Sequence, residues 1–243
     1  MAIDKYQKSV VAFIDLLGFK SSLKHEENLV EILNVLRRMK AGESSNDSSL
    51  TQVEGNTHVI KIKPSISVFS DSMVISASES LLSDVVQWHH LVVEILNIVQ
   101  QLSNFIIKKG YILRGGLTIG DLYHADGVIV GQALVEAYEI ESEHAKYPRV
   151  MASNEIVEYF NSTKNGGSYE CFCCDDEMDM SYYLDYLPAA LCDQDQALLY
   201  KNAIRKNLNI NDKVLNNPED KKIHEKWVWF EKYFERSLEK SIL

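Results

Sequence analysis

The sequence predicts an α+β sandwich, a mostly antiparallel sheet with helices packed on one face, followed by a strand-and-helix extension. Three observations carry that prediction. Short apolar runs with strand-like patterning recur in VVAFIDLL, SISVFSDSMVIS and YILRGGLTIGDLYH. Longer stretches between them repeat their apolar residues at helical spacing. Glycine or small polar residues punctuate most of the boundaries.

Val10 to Lys20 opens as a strand whose apolar run ends at Asp15, ahead of a turn at Gly18. Phe19 to Lys40 then places Leu23, Leu29, Val30, Ile32, Leu33 and Leu36 on one broad face, as in an amphipathic helix. Ala41 to Asn56 is polar and rich in serine, which predicts a loop. THVIKIKPSISVFSDSMVISAS reads as two strands joined at Ser70-Asp71-Ser72, a tight hairpin with an aspartate at its tip. Ser83 is the expected N-cap of a long helix running to Lys109 and closed by Gly110. Its apolar residues cover more than one face, which predicts deep burial or a subunit contact.

Tyr111 to Gln132, interrupted by Gly115, Gly116, Gly120 and Gly127, reads as a hairpin in a half-covered sheet. ALVEAYEIESEHAK is helical, PRVMAS a short strand, and SNEIVEYF a helix opened by Ser153. Beyond about Lys164 the pattern weakens. It recovers in the strand YYLDYL and in WVWFEKYFERSLEK, a helix that packs its aromatics on the rest. The expected division is therefore a main domain over residues 1–164 and an extension over 165–243, with the main domain ferredoxin-like or palm-type.

A formal net charge of −10 over 243 residues argues against a long nucleic-acid backbone as partner, because no basic excess exists to neutralise phosphates. No run of 18 apolar residues is present and the first nine residues are polar, so no membrane association and a cytosolic location are expected. Cys171, Cys173, Cys174 and Cys192 lack a second pair at zinc-ligand spacing and read as reduced thiols.

The chemistry concentrates in two aspartates. Asp15 and Asp71 each end a strand-like run in front of a turn, and two carboxylates held on strand ends can share one or two divalent cations. The turn after Asp15 would set backbone N–H groups beside such a cation, an arrangement suited to a triphosphate. Taken singly, Asp15 also reads as a helix cap and Asp71 as an ordinary turn residue.

FIDLLGF, FSDSMVIS and RGGLTIGDLYH, followed by VGQALVEAYEIES, resemble the catalytic domain of class III nucleotidyl cyclases, closest to the bacterial pyrimidine cyclases of the Pycsar anti-phage defence system. The resemblance spans roughly Ser9 to Phe160. It implies that Asp15, Asp71 and the Leu16 carbonyl bind two Mg²⁺ or Mn²⁺ ions, with the Leu17, Gly18 and Phe19 amides on the phosphates. Arg114, Gly116 and Gly120 match the Arg-x-Gly-x-x-x-Gly strand of that family.

The departures bear on the substrate. Ser67 stands where purine cyclases carry a base-reading lysine, and Val128 where they carry a base-reading aspartate. Val135 and Glu139 replace the asparagine and arginine that assist the transition state. Arg114, Lys146 and Arg149 are the candidate replacement cations, and each also reads as a structural ion pair. Ser67 and Thr118 are small enough to line a base pocket, and as strand residues they read equally as packing. His124 beside the hairpin faces either the nucleotide or a partner subunit, or is incidental.

The resemblance thus implies a homodimer with its active site at the interface. It would convert UTP or CTP to a 3′,5′-cyclic mononucleotide and pyrophosphate, the product being read by a separate effector. A catalytically silent nucleotide-binding module is the alternative. A relative of diguanylate cyclases is disfavoured by FSDSM at the hairpin tip.

Overall fold

The computed structural model describes residues 5–19, 29–41, 49–53, 56–60, 62–162, 172–175, 181–191, 193–212 and 218–242. Its centre is β1 (Gln7–Leu17), paired antiparallel on one side with β5 (Ser72–Ser78) and on the other with β6 (Ile112–Ala125). β4 (Ser65–Phe69) continues the sheet beyond β5. On the other side β8 (Val150–Ala152) adds parallel to β6, followed by β10 (Ser181–Leu184) and β9 (Phe172–Asp175). β7 (Val128–Val130) folds back on the end of β6 as the expected hairpin.

The alternation of β1 explains why both faces are covered. Val10, Ala12, Ile14 and Leu16 enter the larger core, together with Met73, Ile75 and Ala77 of β5. Val11 points the other way and packs with Val74, Leu122, Ala133 and Ala137. Helices α1 (Leu29–Ala41) and α2 (Trp88–Ile107) contribute to the larger core, and α3 (Gln132–Glu139) lies on the opposite face. The α+β class is as expected, but helices on one face alone is not. Gly116 and Gly120 lack the side chains that would hold α3 off the sheet: a Cβ on Gly120 would stand 3.1 Å from that of Ala133.

Two local expectations change, and a third is tested only in part. Part of the stretch read as a loop is β2 (Ser49–Val53), which pairs with β3 (Asn56–Ile60) as a separate two-stranded sheet. Ser83 does not cap α2. Its hydroxyl accepts from the N–H groups of Val85 and Val86, and the helix begins at Trp88 behind a reciprocal cap between Gln87 and His90. Of the helix read over Phe19 to Lys40, residues 20–28 lie outside the described residues. Gly110 does close α2, at φ +82°, with its N–H on the Ile107 carbonyl.

The apolar excess of α2 is covered within the chain. Eleven of its residues are buried, and the C-terminal segment supplies polar partners: the Gln100 side chain donates to the Tyr186 carbonyl and the Tyr200 hydroxyl to Asn104. This helix is long and apolar enough to cross a membrane by length and composition, and 61% of its most apolar window is buried. Its hydropathy therefore gives no separate reason for a subunit contact.

Beyond α4 (Asn154–Ser162) come α5 (Leu187–Leu191), α6 (Gln194–Asp212) and α7 (Pro218–Ile242). Trp227, Phe230, Tyr233 and Phe234 of α7 join the same core as β1. Cys173 and Cys174 lie on β9, while Cys171 and Cys192 fall outside the described residues.

Candidate active site

The β1 register brings the two aspartates together. Asp15 pairs across the sheet with Ser72, the first residue of β5, and Asp71 occupies the two-residue loop just before it. Ser70, at φ +55°, tightens that loop, and the Leu16 N–H donates to the Asp71 carbonyl at 2.9 Å. The hairpin tip is thus tied to the end of β1. Gly18, at φ +87°, turns the chain immediately afterwards, and Phe19 is buried against Tyr111. Leu17 still pairs with Ile112.

On its other side Asp15 lies opposite Arg114. The Arg114 Nε donates to Asp15 Oδ2 at 3.2 Å, and the Ser72 hydroxyl donates to Oδ1 at 3.1 Å. Arg114 also forms an ion pair with Glu141, a carboxylate only 3% exposed. Glu141 sits on a π-helical turn (Ile140–His144) that follows α3, where a continuous helix was expected. The sequence reading missed Glu141. Its signal was an acid within the apolar spacing of VEAYEIES.

Burial raises the Asp15 carboxyl above its ordinary range; Arg114 opposes this and the charge of Asp71 adds to it. Glu141 is raised by burial too, again opposed by Arg114 and reinforced by Asp15. Lys226 of α7 lies within electrostatic reach of the same group. Burial and Arg114 pull its ammonium down, while Asp15 and Glu141 push it up. Nothing in the local sequence marked Lys226, because only the docking of α7 brings it near.

These shifts set a pH dependence. A carboxyl whose native pKa is raised binds its proton more tightly when folded, so its contribution to stability is present at low pH and lost as pH rises through the raised value. Metal-free protein is expected to lose this contribution between about pH 4 and the raised native values. The melting difference between wild type and Asp15→Asn, followed against pH in EDTA, measures it. A difference independent of pH across that window contradicts the assignment.

The donor chemistry fits a hard divalent cation such as Mg²⁺ or Mn²⁺. Asp15 lies within electrostatic reach of Asp71, and a cation would offset both the burial and the like charge that raise its carboxyl. Among the described residues no group of three or more His, Cys, Asp and Glu side chains converges on a metal position.

The other predicted residues divide. Arg149 is fully buried, its guanidinium over the rings of Tyr183 and Trp229 and donating to the His144 carbonyl. That position removes it from a phosphate site. Lys146 is exposed on the loop before β8. Thr118 is fully buried on the α3 face and is absent from the hollow whose wall Ser67 lines. The wall belongs to an open hollow of about 620 Å³ over β4 and the β6–β7 hairpin, lined by Lys63, Ser65, Ser67, Phe69 and His124 among others. Neither Asp15 nor Asp71 lines it. Val128 is half exposed on β7, and Val135 and Glu139 are exposed on and beside α3.

No family model and no curated protein matches the chain. Among solved structures, the adenylyl cyclase CyaB from P. aeruginosa is 14% identical, with a TM-score of 0.46 over 74% of this chain and 94% of its own. An adenylate/guanylate cyclase/hydrolase from Silicibacter pomeroyi is 13% identical, with a TM-score of 0.40 over 74% and 95%. The catalytic core of a rhodopsin-guanylyl cyclase with converted specificity, in complex with ATPαS, is 16% identical, with a TM-score of 0.44 over 74% and 96%.

Proposed function

We propose that the chain is a metal-dependent nucleotidyl cyclase that converts UTP or CTP to the 3′,5′-cyclic mononucleotide and pyrophosphate. The observation that carries the reading is the closure of the Asp71 hairpin onto the end of β1, through the Leu16 N–H and the Asp71 carbonyl, which sets two aspartates side by side. The motif resemblance supplies the reaction class. By the same resemblance the product would be a second messenger in anti-phage defence, made in the cytoplasm.

In this reading the ribose 3′-oxygen bonds to the α-phosphorus, the bond from the α-phosphorus to the bridging oxygen breaks, and pyrophosphate leaves. The hydroxyl proton passes to solvent. Divalent cations, when bound, lower the pKa of that hydroxyl and neutralise the β- and γ-phosphates. Asp15 and Asp71 hold them. Arg114, tied between Asp15 and Glu141, orients the Asp15 carboxylate and would bring a guanidinium toward charge developing on the phosphate. Residues 165–243 add Lys226 as a second cation near the cluster, in place of Arg149.

The motif resemblance supports a site completed by a second copy of the chain, with the hollow meeting the aspartate end of the sheet at Phe69, which pairs with Ser72. Exposed apolar side chains on β4, β7 and α3, namely Phe69, Val128, Val130, Val135 and Tyr138, offer the contact surface. Light scattering behind a sizing column at micromolar protein is expected to give the dimer mass. A strict monomer that still turns over nucleotide contradicts this arrangement.

Base choice follows from the missing purine readers. Without the lysine and aspartate, a bound purine leaves polar groups unpaired at about 1–3 kcal/mol each, so pyrimidine products should exceed purine products at least about tenfold. Purified protein with Mn²⁺ and all four nucleoside triphosphates at equal concentration, read by product mass, tests the reading. Absence of any pyrophosphate release leaves a silent nucleotide-binding module. A dominant cyclic AMP or cyclic GMP peak removes the pyrimidine assignment alone.

A further inference from the structure

His124 lies past the point where β1 stops pairing with β6, whose last partners are Gln7 and Leu122. Its ring reaches across to two other strands. Nε2 stands 2.9 Å from the Ser67 hydroxyl on β4, and Nδ1 stands 2.8 Å from the Ser76 hydroxyl on β5. Ser67 and Phe69, two residues apart on one strand, face the same hollow. The imidazole therefore forms part of the pocket wall and is itself fixed at both nitrogens.

A neutral imidazole has one N–H donor and one acceptor nitrogen. Ser76 is 4% exposed, and His124 is the partner its hydroxyl has among the described residues. A buried hydroxyl that keeps its proton unshared costs free energy, so the Ser76 O–H donates to Nδ1. The ring proton then resides on Nε2 and is donated to the Ser67 oxygen. Ser67 is left with its own O–H free to point into the hollow.

We propose that His124, held by Ser76, sets the direction of the Ser67 hydroxyl so that the hollow takes a uracil base in preference to cytosine, with the ring against the exposed face of Phe69. A directed O–H donor matches the O4 carbonyl of uracil. Cytosine presents an amino group at that position, and two donors then meet. The serine alone does not discriminate, because a free hydroxyl rotates to donate or accept. This assignment rests on the cyclase reading for its substrate class, and it resolves the choice between UTP and CTP that the sequence left open.

The test compares wild type with His124→Gln, His124→Ala and Ser76→Ala. A glutamine can keep the polarity, its amide N–H donating to Ser67 and its carbonyl accepting from Ser76, whereas alanine keeps neither bond. Binding of UTP and of CTP is measured by calorimetry with Ca²⁺, and product ratios with Mn²⁺ in a separate assay. Wild type is expected to prefer UTP by about tenfold, the scale of one mispaired polar group. His124→Gln should stay within about threefold of wild type, and His124→Ala and Ser76→Ala should fall to near parity. Thermal melts check that each variant is folded, and Ser76→Ala serves if His124→Ala is not.

A UTP preference unchanged in both alanine variants overturns the role of His124 while the cyclase reading stands. Equal loss in His124→Gln and His124→Ala also overturns it, since a merely structural ring would behave so. If wild type binds neither nucleotide, the base pocket itself is refuted. The expected binding pattern without cyclic product upholds the pocket and removes the cyclase reading.

Discussion

Asp15→Ala and Asp71→Ala are each expected to lower product formation by at least about a thousandfold, a loss of about 4 kcal/mol of transition-state stabilisation. Each change removes a charge that holds the cations, and neither removes an apolar core group. The metal-free protein should keep its melting temperature or gain slightly, because burial and the charge of Asp71 already hold the Asp15 carboxyl above its ordinary range. Stabilisation by Mn²⁺ should disappear in both variants, since a ligand stabilises only the state that binds it. Retention of more than a small fraction of activity in either variant would falsify the paired-aspartate site.

Gly116→Ala is expected to be the most damaging small substitution in the sheet. Its Cβ would stand 2.1 Å from the Ala137 carbonyl oxygen and 2.9 Å from the Ile140 Cβ, and the first of these is backbone. The clash cannot be relieved by a rotamer change, so α3 must lift from β6. A cost of about 3 kcal/mol or more follows, which at this chain length lowers the melting temperature by about 6–12 °C. Gly120→Ala, with its nearest contact at 3.1 Å on the Ala133 side chain, should cost less. A melt of Gly116→Ala within about 2 °C of wild type would show that α3 docks otherwise. The same variant should weaken catalysis, because the turn after α3 carries Glu141, the ion-pair partner of Arg114.

The aspartate pair was legible because its signal is local: an apolar run, an aspartate and a turn, twice. The hairpin at Ser70-Asp71 and the strand carrying Arg114 could be read the same way. Glu141 and Arg149 show the limit. Glu141 lies within the apolar spacing of a stretch read as helical and Arg149 opens a short strand, and charge alone would leave each at the surface, yet both are buried in the fold. Which charged group becomes a site member and which becomes a core residue depends on what packs over it. For Arg149 that cover is Tyr183 and Trp229, which arrive from well beyond it in sequence.

Alternation, helical spacing and turn chemistry, all short-range properties of neighbouring residues, determined by themselves the α+β class, the strands β1, β4, β5, β6 and β7, and the placement of Asp15 and Asp71 beside turns. Tertiary structure alone decided three things: that α3 closes on the second face over Gly116 and Gly120, that Tyr186 and Tyr200 of the C-terminal segment meet Gln100 and Asn104 of α2, and that His124 joins Ser67 and Ser76. Each depends on groups far apart in the chain meeting at hydrogen-bond or van der Waals distance. Such meetings are selected by the packing of the whole core and leave no periodic trace in the sequence.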